Sequence, residues 1–225
     1  MSLHVLPDLI QGTEEWHDQR RGIVTASVVG RLLTPTLEVA ANEVSRGLTA
    51  TLAAERITGY TDPTYVNDDM WRGVEDEPRA REKYSERYAE AVECGFMIRD
   101  LRDEWGFVIG YSPDGLVGDD GLIEVKSRRQ KKHLQTILAD EVPPENMAQL
   151  QCGLLVSGRK WIDYVSYCGG MSLYVKRVEP DEQWFDAILA AVDAFEVNVW
   201  AMQAAYKKAT KGLAMTERPV ELEMI

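Results

Sequence analysis

Between residues 95 and 127 the spacing of apolar residues changes from a helical period to a strand period, and this limits the architectures open to the chain. Segments 95–100, 105–111, 114–117 and 122–127 are short, rich in β-branched or aromatic residues, and split by Gly and Asp turns. That pattern predicts four strands. Upstream the period is helical. Thr13 is a predicted N-cap, with Glu14 and Glu15 suited to the positive end of the helix dipole. Thr25 precedes Ala-Ser-Val-Val-Gly-Arg-Leu-Leu as a second cap, and 37–58 reads as a helix stopped at Gly59. Asn67 caps a long helix over about 68–93, with Met70, Val74, Arg81, Tyr84, Tyr88 and Val92 on one face. Downstream, helices are predicted over 128–139 and 144–157, separated by Pro143-Pro144. A hairpin of 160–167 and 171–178 turns at Gly169-Gly170. Pro180 then opens a final helix with the stripe Trp184, Ile188, Val192, Phe195, Val199, Met202.

Helices, a strand block, two helices, a hairpin and a helix predict one α/β (α+β) domain over 1–225, with a central mixed β-sheet flanked by helices. Its core spans about 67–178, between an N-terminal helical part (1–66) and a C-terminal helix (about 180–208). A 225-residue chain with 45% hydrophobic residues can bury a real core without staples. Cys94, Cys152 and Cys168 form no close pair and no C-x-x-C, which excludes a zinc ribbon and fits a reducing cytoplasm. There is no signal-like start and no apolar run of membrane-spanning length, so a soluble, intracellular chain is expected. Charge is the awkward feature. Twenty-five basic against 37 acidic residues give −12, which opposes a phosphate-rich partner unless the charges are unevenly placed.

The most informative stretch is Ser112-Pro113-Asp114-Gly115 followed by Gly121-Leu122-Ile123-Glu124-Val125-Lys126. Alternate residues of a strand share a face, so Glu124 and Lys126 point one way while Ile123 and Val125 point the other. A turn at Asp119-Asp120-Gly121 folds Asp114 back beside Glu124. Two carboxylates and an ammonium then converge at one end of a small sheet. Such hard oxygen ligands suit Mg²⁺, with the Val125 carbonyl as a further ligand. Lys126 is a compact cation suited to orienting a water or stabilising charge on a phosphate. The competing reading is a solvated hairpin with a surface Glu/Lys pair.

Three other features bear on this. Glu77 falls mid-stripe in the helix from Asn67, where a carboxylate is costly unless paired or coordinated to metal. Arg81, one turn on, is the structural alternative as its partner, and Pro78 predicts a kink or restart. The helix after Pro144 is apolar nearly all round, so Gln149 and Gln151 both need partners. Periodicity puts them on different sides without saying which faces a site. Finally, Arg20 and Arg21 precede the helix capped at Thr25, whose first turn holds Ser27. A hydroxyl at a helix start beside a guanidinium is a ready phosphate site.

Together these residues resemble the PD-(D/E)XK nuclease superfamily, and within it the YqaJ-type viral recombination exonucleases, the family of phage lambda exonuclease. The likeness runs in order. Gln11-Gly12-Thr13-Glu14-Glu15-Trp16, then Arg20 and Gly22-Ile23-Val24-Thr25-Ala26-Ser27, is similar to the opening signature. Gly73-x-x-x-Glu77-x-x-Ala80 follows, then Ser112-Pro113-Asp114-Gly115 with Glu124-Val125-Lys126, and Met147-Ala148-Gln149-Leu150-Gln151 closes the set. No motif matches after about residue 180.

The resemblance implies an Mg²⁺-dependent exonuclease (Mn²⁺ as the substitute ion) that digests the 5′-terminated strand of duplex DNA in the 5′→3′ direction. Metal ligands fall on Asp114, Glu124 and the Val125 carbonyl, with an acidic contribution from Glu77. Lys126 and Gln149, the first glutamine of the pair, position the water, and the 5′-phosphate pocket maps onto Arg20, Ser27 and Ser112. The family also implies a ring-shaped homotrimer around the DNA, hand-over of the 3′ strand to a phage single-strand annealing protein, and a phage or prophage origin in a bacterial cytoplasm. Two ions bridged by Asp114 would flank the scissile phosphate. Two rivals are a restriction-type endonuclease of the same fold and a non-catalytic DNA-binding or assembly module. The second predicts a missing catalytic residue, whereas all five positions hold competent types.

The charge is unevenly spread. Residues 60–104 and 178–206 account for the whole deficit, and the rest of the chain balances. Lys126, Arg128, Arg129, Lys131 and Lys132 crowd just after the catalytic strand. The two acidic segments are expected to face outward and the basic run to line a DNA path.

Overall fold

The structure is a computed structural model that describes residues 2–63 and 67–218. Of the span 1–225 expected as one domain, residues 1, 64–66 and 219–225 lie outside the described residues. The chain opens with strand β1 (Ser2–Leu6), then helix α1 (Glu14–Arg20), β2 (Val24–Thr25), the single turn α2 (Ala26–Val29) and a 3₁₀ turn, Gly30–Leu32. Helices α3 (Glu43–Thr58) and α4 (Asp68–Arg87) follow. Next come β3 (Ala91–Val92), β4 (Phe96–Asp100), β5 (Val108–Tyr111), β6 (Gly115–Val117) and β7 (Gly121–Ser127). Helices α5 (Gln130–Ala139) and α6 (Pro144–Ser157), strands β8 (Trp161–Tyr167) and β9 (Tyr174–Val178), and the long α7 (Glu182–Ala209) complete it. None of the described helices is long and apolar enough to cross a membrane, and all three cysteines are buried and unpaired.

The mixed α/β class is as expected, but the strands form two sheets rather than one. A four-stranded sheet has the order β1-β4-β5-β2 and a five-stranded sheet the order β3-β6-β7-β8-β9. Both are mixed, since β2 runs parallel to β5 and β7 parallel to β8 among otherwise antiparallel neighbours. The N-terminal part is therefore not purely helical: β1 pairs with β4 from Ser2↔Asp100 to Leu6↔Phe96, and two-residue β2 extends the same sheet. Strand β7 lies between two apolar layers. Leu122 joins the main core with Leu150, Leu154, Ile162 and Tyr164, while Ile123 and Val125 pack on the other side with Ala80, Tyr84 and Val165. That alternation leaves Glu124 and Lys126 on the α6 side.

Several boundaries differ for local reasons. Helix α3 starts at Glu43, not 37, because Leu37 takes a left-handed φ of 61° in the turn from Thr34 to Glu38. Asn42 and Ser45 then cap the helix reciprocally. Helix α4 ends at Arg87 instead of running to 93, and Ala91–Val92 becomes the edge strand beside β6. It continues through Pro78 as one helix, without the restart that was one of the expected outcomes. Pro78 sits on the solvent side next to exposed Val74, so water can satisfy the carbonyl left without its N–H partner. The expected apolar stripe is also rotated: Met70, Val74, Tyr88 and Val92 are exposed, and the buried face carries Asp76, Ala80 and Tyr84. Thr25 occupies an N-cap position but makes no capping hydrogen bond there.

Candidate active site

The hairpin of β6 and β7 assembles the first part of the site. Gly115, the first residue of β6, pairs with Ile123, so Val125 lies two residues beyond the paired register. Asp114 fills that gap, its Oδ2 accepting a 2.6 Å hydrogen bond from the Val125 N–H. A strand residue's N–H and C=O project to the same side, so the Val125 carbonyl faces the same gap as the carboxylate. Glu124 is almost wholly buried. Its Oε1 accepts from Lys126 Nζ at 2.7 Å and Gln149 Nε2 at 2.5 Å, and its Oε2 from the Tyr111 hydroxyl at 3.1 Å. Lys126 Nζ also donates to Gln149 Oε1 at 3.0 Å. Asp114, Glu124, Lys126 and Gln149 thus meet at one point, supplied by β6–β7 and α6.

The alternative left open by helical periodicity is decided by geometry. Gln149 faces the carboxylates, whereas Gln151 turns to the start of α7. There its Nε2 donates to the Glu179 carbonyl at 2.9 Å and its Oε1 accepts from the Asp181 N–H at 3.0 Å. Gln151→Ala should therefore lower stability by about 2 kcal/mol, since it removes two hydrogen bonds worth about 1 kcal/mol each, without slowing chemistry. Equilibrium urea unfolding reads this as a lower midpoint, and an unchanged midpoint would contradict the anchoring role.

Glu77 reaches the same region but is held by Arg81, whose Nη1 donates to Glu77 Oε1 at 3.0 Å and also to the Asp114 carbonyl. Burial pushes the Glu77 carboxyl up despite Arg81, and the charge of Glu124 adds to that push. Asp114 is raised well above the ordinary carboxylate range by burial, then by Glu124 and Glu77. Burial alone would lower Lys126, but Glu124 and Asp114 outweigh it and hold the ammonium up. Three acids share this space with one lysine and one arginine. Among the described residues no three acidic, histidine or cysteine side chains stand grouped as a ready-made metal cage. Asp114, Glu124 and the Val125 carbonyl nevertheless fit Mg²⁺, which needs only one or two carboxylates when water and phosphate complete its shell.

A second cluster adjoins the first. Arg20 Nη1 donates to Ser112 Oγ at 3.3 Å, and its Nη2 to Ser27 Oγ at 3.2 Å and Thr25 Oγ1 at 3.4 Å. The Trp16 indole N–H also donates to Ser112 Oγ, at 3.1 Å, and the guanidinium lies 3.9 Å over the Trp16 ring. Burial pulls Arg20 down to about 10, against the opposing charge of Glu55, so the group remains a cation at neutral pH. Among the described residues no carboxylate forms an ion pair with it. Arg20, Ser27 and Ser112 are thus brought together as expected.

The basic run after β7 is less open than expected. Arg129 pairs with Asp69 at 2.8 Å, Lys132 with Glu145 at 2.8 Å, and Arg128 donates to Asn146 Oδ1 at 2.6 Å, while Lys131 is exposed. Nor do the acidic segments simply face outward. Asp76 is buried and accepts from Ser127 Oγ at 2.7 Å, and Glu196 on α7 turns inward to Arg56. Sequence reasoning gave no site role to Tyr111, read Thr25 as a helix cap and not as a partner of Arg20, and took Trp16 only as a motif letter. Tyr111 closes a predicted strand as an ordinary core aromatic, and only the three-dimensional placement of β5 points its hydroxyl at Glu124.

Residues 15–160 match the model of the YqaJ-like viral recombinase domain. The chain belongs to that family. Among solved structures, this YqaJ-like chain is similar to an alkaline exonuclease from Laribacter hongkongensis (LHK-Exo), with 34% identity, a TM-score of 0.77, and coverage of 90% of this chain and 100% of that one. The same exonuclease in complex with dAMP matches with a TM-score of 0.78 at the same identity and coverage. A phage-related exonuclease from Haemophilus somnus, at 14% identity and a TM-score of 0.57 over 80% of this chain and 96% of that one, shares the fold. No curated protein matches the YqaJ-like sequence.

Proposed function

We propose that this YqaJ-like chain is an Mg²⁺-dependent nuclease that hydrolyses the 5′-terminated strand of linear double-stranded DNA in the 5′→3′ direction. One observation carries the reading: the acidic centre and the Arg20 cluster are joined by four consecutive residues. Tyr111 bonds Glu124, Ser112 bonds Arg20, and Asp114 bonds Val125. Pro113 stiffens the link between them. A phosphate seated on Arg20, Ser27 and Ser112 is thereby held at a set distance from the carboxylates, which makes a phosphodiesterase end-directed. Likeness to the alkaline exonuclease LHK-Exo supports an exonuclease.

Asp114, Glu124 and the Val125 carbonyl would hold the metal, with Glu77 adding negative charge from α4. When bound, the ion supplies Lewis acidity at the scissile phosphate and makes a coordinated water more acidic. Lys126, locked between Glu124 and Gln149, presents a fixed cation to the phosphate and orients the attacking water. Gln149 spans Glu124 and Lys126, fixing both without adding charge. Arg128, Arg129, Lys131 and Lys132 line the approach of the duplex, with Arg129 and Lys132 exchanging Asp69 and Glu145 for phosphates. The 3′ strands left behind serve recombination by strand annealing. A ring-shaped homotrimer and an annealing-protein partner belong to the same proposal, on the ground of family membership.

The test is digestion of linear duplex labelled at either end, with and without a 5′-phosphate, in the presence and absence of Mg²⁺. Label at phosphorylated 5′ ends should be released first, only with Mg²⁺, while closed circular duplex stays intact. Release from 3′ ends would reverse the polarity. Rapid cutting of circles would favour an endonuclease.

A further inference from the structure

The turn that follows Arg20 is gripped from outside the site. Gly22 takes a left-handed φ of 69° between α1 and β2, and both polar atoms of its backbone are held by neighbouring side chains of α3. Its N–H donates to buried Glu55 Oε2 at 2.7 Å, and its carbonyl accepts from Arg56 Nε at 2.6 Å. The other end of the Arg56 guanidinium is fixed in turn. Nη1 and Nη2 each donate to one oxygen of Glu196 on α7, both at 2.6 Å. The fit leaves no slack, because a Cβ at Gly22 would stand 2.5 Å from Arg56 Cγ and 3.4 Å from the Leu52 carbonyl oxygen. The planar guanidinium is needed for this. A fork with a separate Nε–H can serve a carbonyl and a carboxylate at once, and an ammonium cannot span both.

Resting on the reading of Arg20, Ser27 and Ser112 as the pocket for a terminal phosphate, we propose that Glu55, Arg56 and Glu196 are positioning residues for end recognition. Through Gly22 they set where Arg20 stands relative to Ser27 and Ser112. None of the three has a hydrogen bond to the acidic centre: Glu55 and Arg56 bond the Gly22 backbone, Glu196 bonds Arg56, and the carboxylates of Asp114 and Glu124 are held by Val125, Lys126, Gln149 and Tyr111. α7 therefore reaches the pocket through one bidentate ion pair, and the terminal phosphate is selected by residues that do not contact it.

The relay predicts a specificity effect without a chemical one. Glu196→Gln keeps the shape and one acceptor but removes the charge, while Arg56→Lys keeps the charge and removes the fork. In the full chain with Mg²⁺, each variant should lower the ratio of kcat/KM on 5′-phosphorylated to 5′-hydroxyl linear duplex by roughly tenfold, the scale of a small misplacement of a binding group. The loss should fall on KM for phosphorylated ends, with kcat and the rate on 5′-hydroxyl ends unchanged. A merely structural role would instead lower both substrates' rates together as folded protein is lost, and circular dichroism melting records that separately. If wild type prefers phosphorylated ends and both variants keep its full ratio, the relay is overturned while the pocket stands. If wild type itself shows no preference, the pocket reading falls and the relay with it.

Discussion

Replacing Lys126 with alanine should lower the cleavage rate by on the order of a thousandfold, the scale seen when a preorganised electrostatic group is removed from a transition state. Duplex binding, measured in Ca²⁺ to hold back cleavage, should change little, because an interaction made only in the transition state appears in kcat. The geometry explains why so much rests on one side chain. The ammonium is held by Glu124 and Gln149, on two different elements, so its position is set before substrate arrives. Asp114→Asn should abolish cleavage as thoroughly for another reason: it keeps an oxygen to accept the Val125 N–H but removes charge where Mg²⁺ needs it. Full activity in Lys126→Ala would remove the assignment of the centre.

Arg20→Ala should cost roughly a hundredfold in kcat/KM on phosphorylated ends, as expected for losing charge-assisted hydrogen bonds, and little on 5′-hydroxyl ends. The guanidinium is a cation among three hydroxyls and an indole, with no carboxylate paired to it among the described residues. That environment suits a polar anion from outside the chain. Arg20→Lys is the finer comparison, since a lysine keeps the charge but cannot reach Ser112 and Ser27 with separate nitrogens. The measurement is the ratio of initial rates on the two kinds of end. Equal losses on both would show that Arg20 supports the fold around Ser112 and does not select the end.

How much of this was legible from the residues depends on distance along the chain. The hairpin carrying Asp114, Glu124 and Lys126 could be read because strand alternation and an Asp-Asp-Gly turn are local signals. Gln149 could be singled out only as one of two buried amides, since a helix period ranks faces but does not say what stands opposite them. Helix α4 shows the limit clearly. Met70, Val74 and Tyr88 form a convincing stripe, yet they are exposed and Asp76 is buried beneath the helix. Asp76 could go inside because Ser127 donates to it, a partner 51 residues away that periodicity cannot reveal. The second sheet was missed for a different reason. Strand signals do not say which strands pair, so nothing separated β4 and β5 from β6 and β7, and strands of two residues, such as β2 and β3, are too short to show any period.

The β6–β7 hairpin also sets an asymmetry in chain entropy. Asp114 meets Val125 across 11 positions of sequence, whereas Arg20 meets Ser112 across 92. Loop-closure entropy grows with the logarithm of that separation, so the second meeting costs about 2 kcal/mol more than the first. The proposed metal-binding end is thus the part of the molecule that the chain can organise most locally, from one turn and two short strands. The proposed end-reading pocket needs the whole fold closed around it before its three hydroxyls and its guanidinium coincide. On the proposed reading, the charge that would bind the metal is encoded locally, and the choice of where to start is encoded globally.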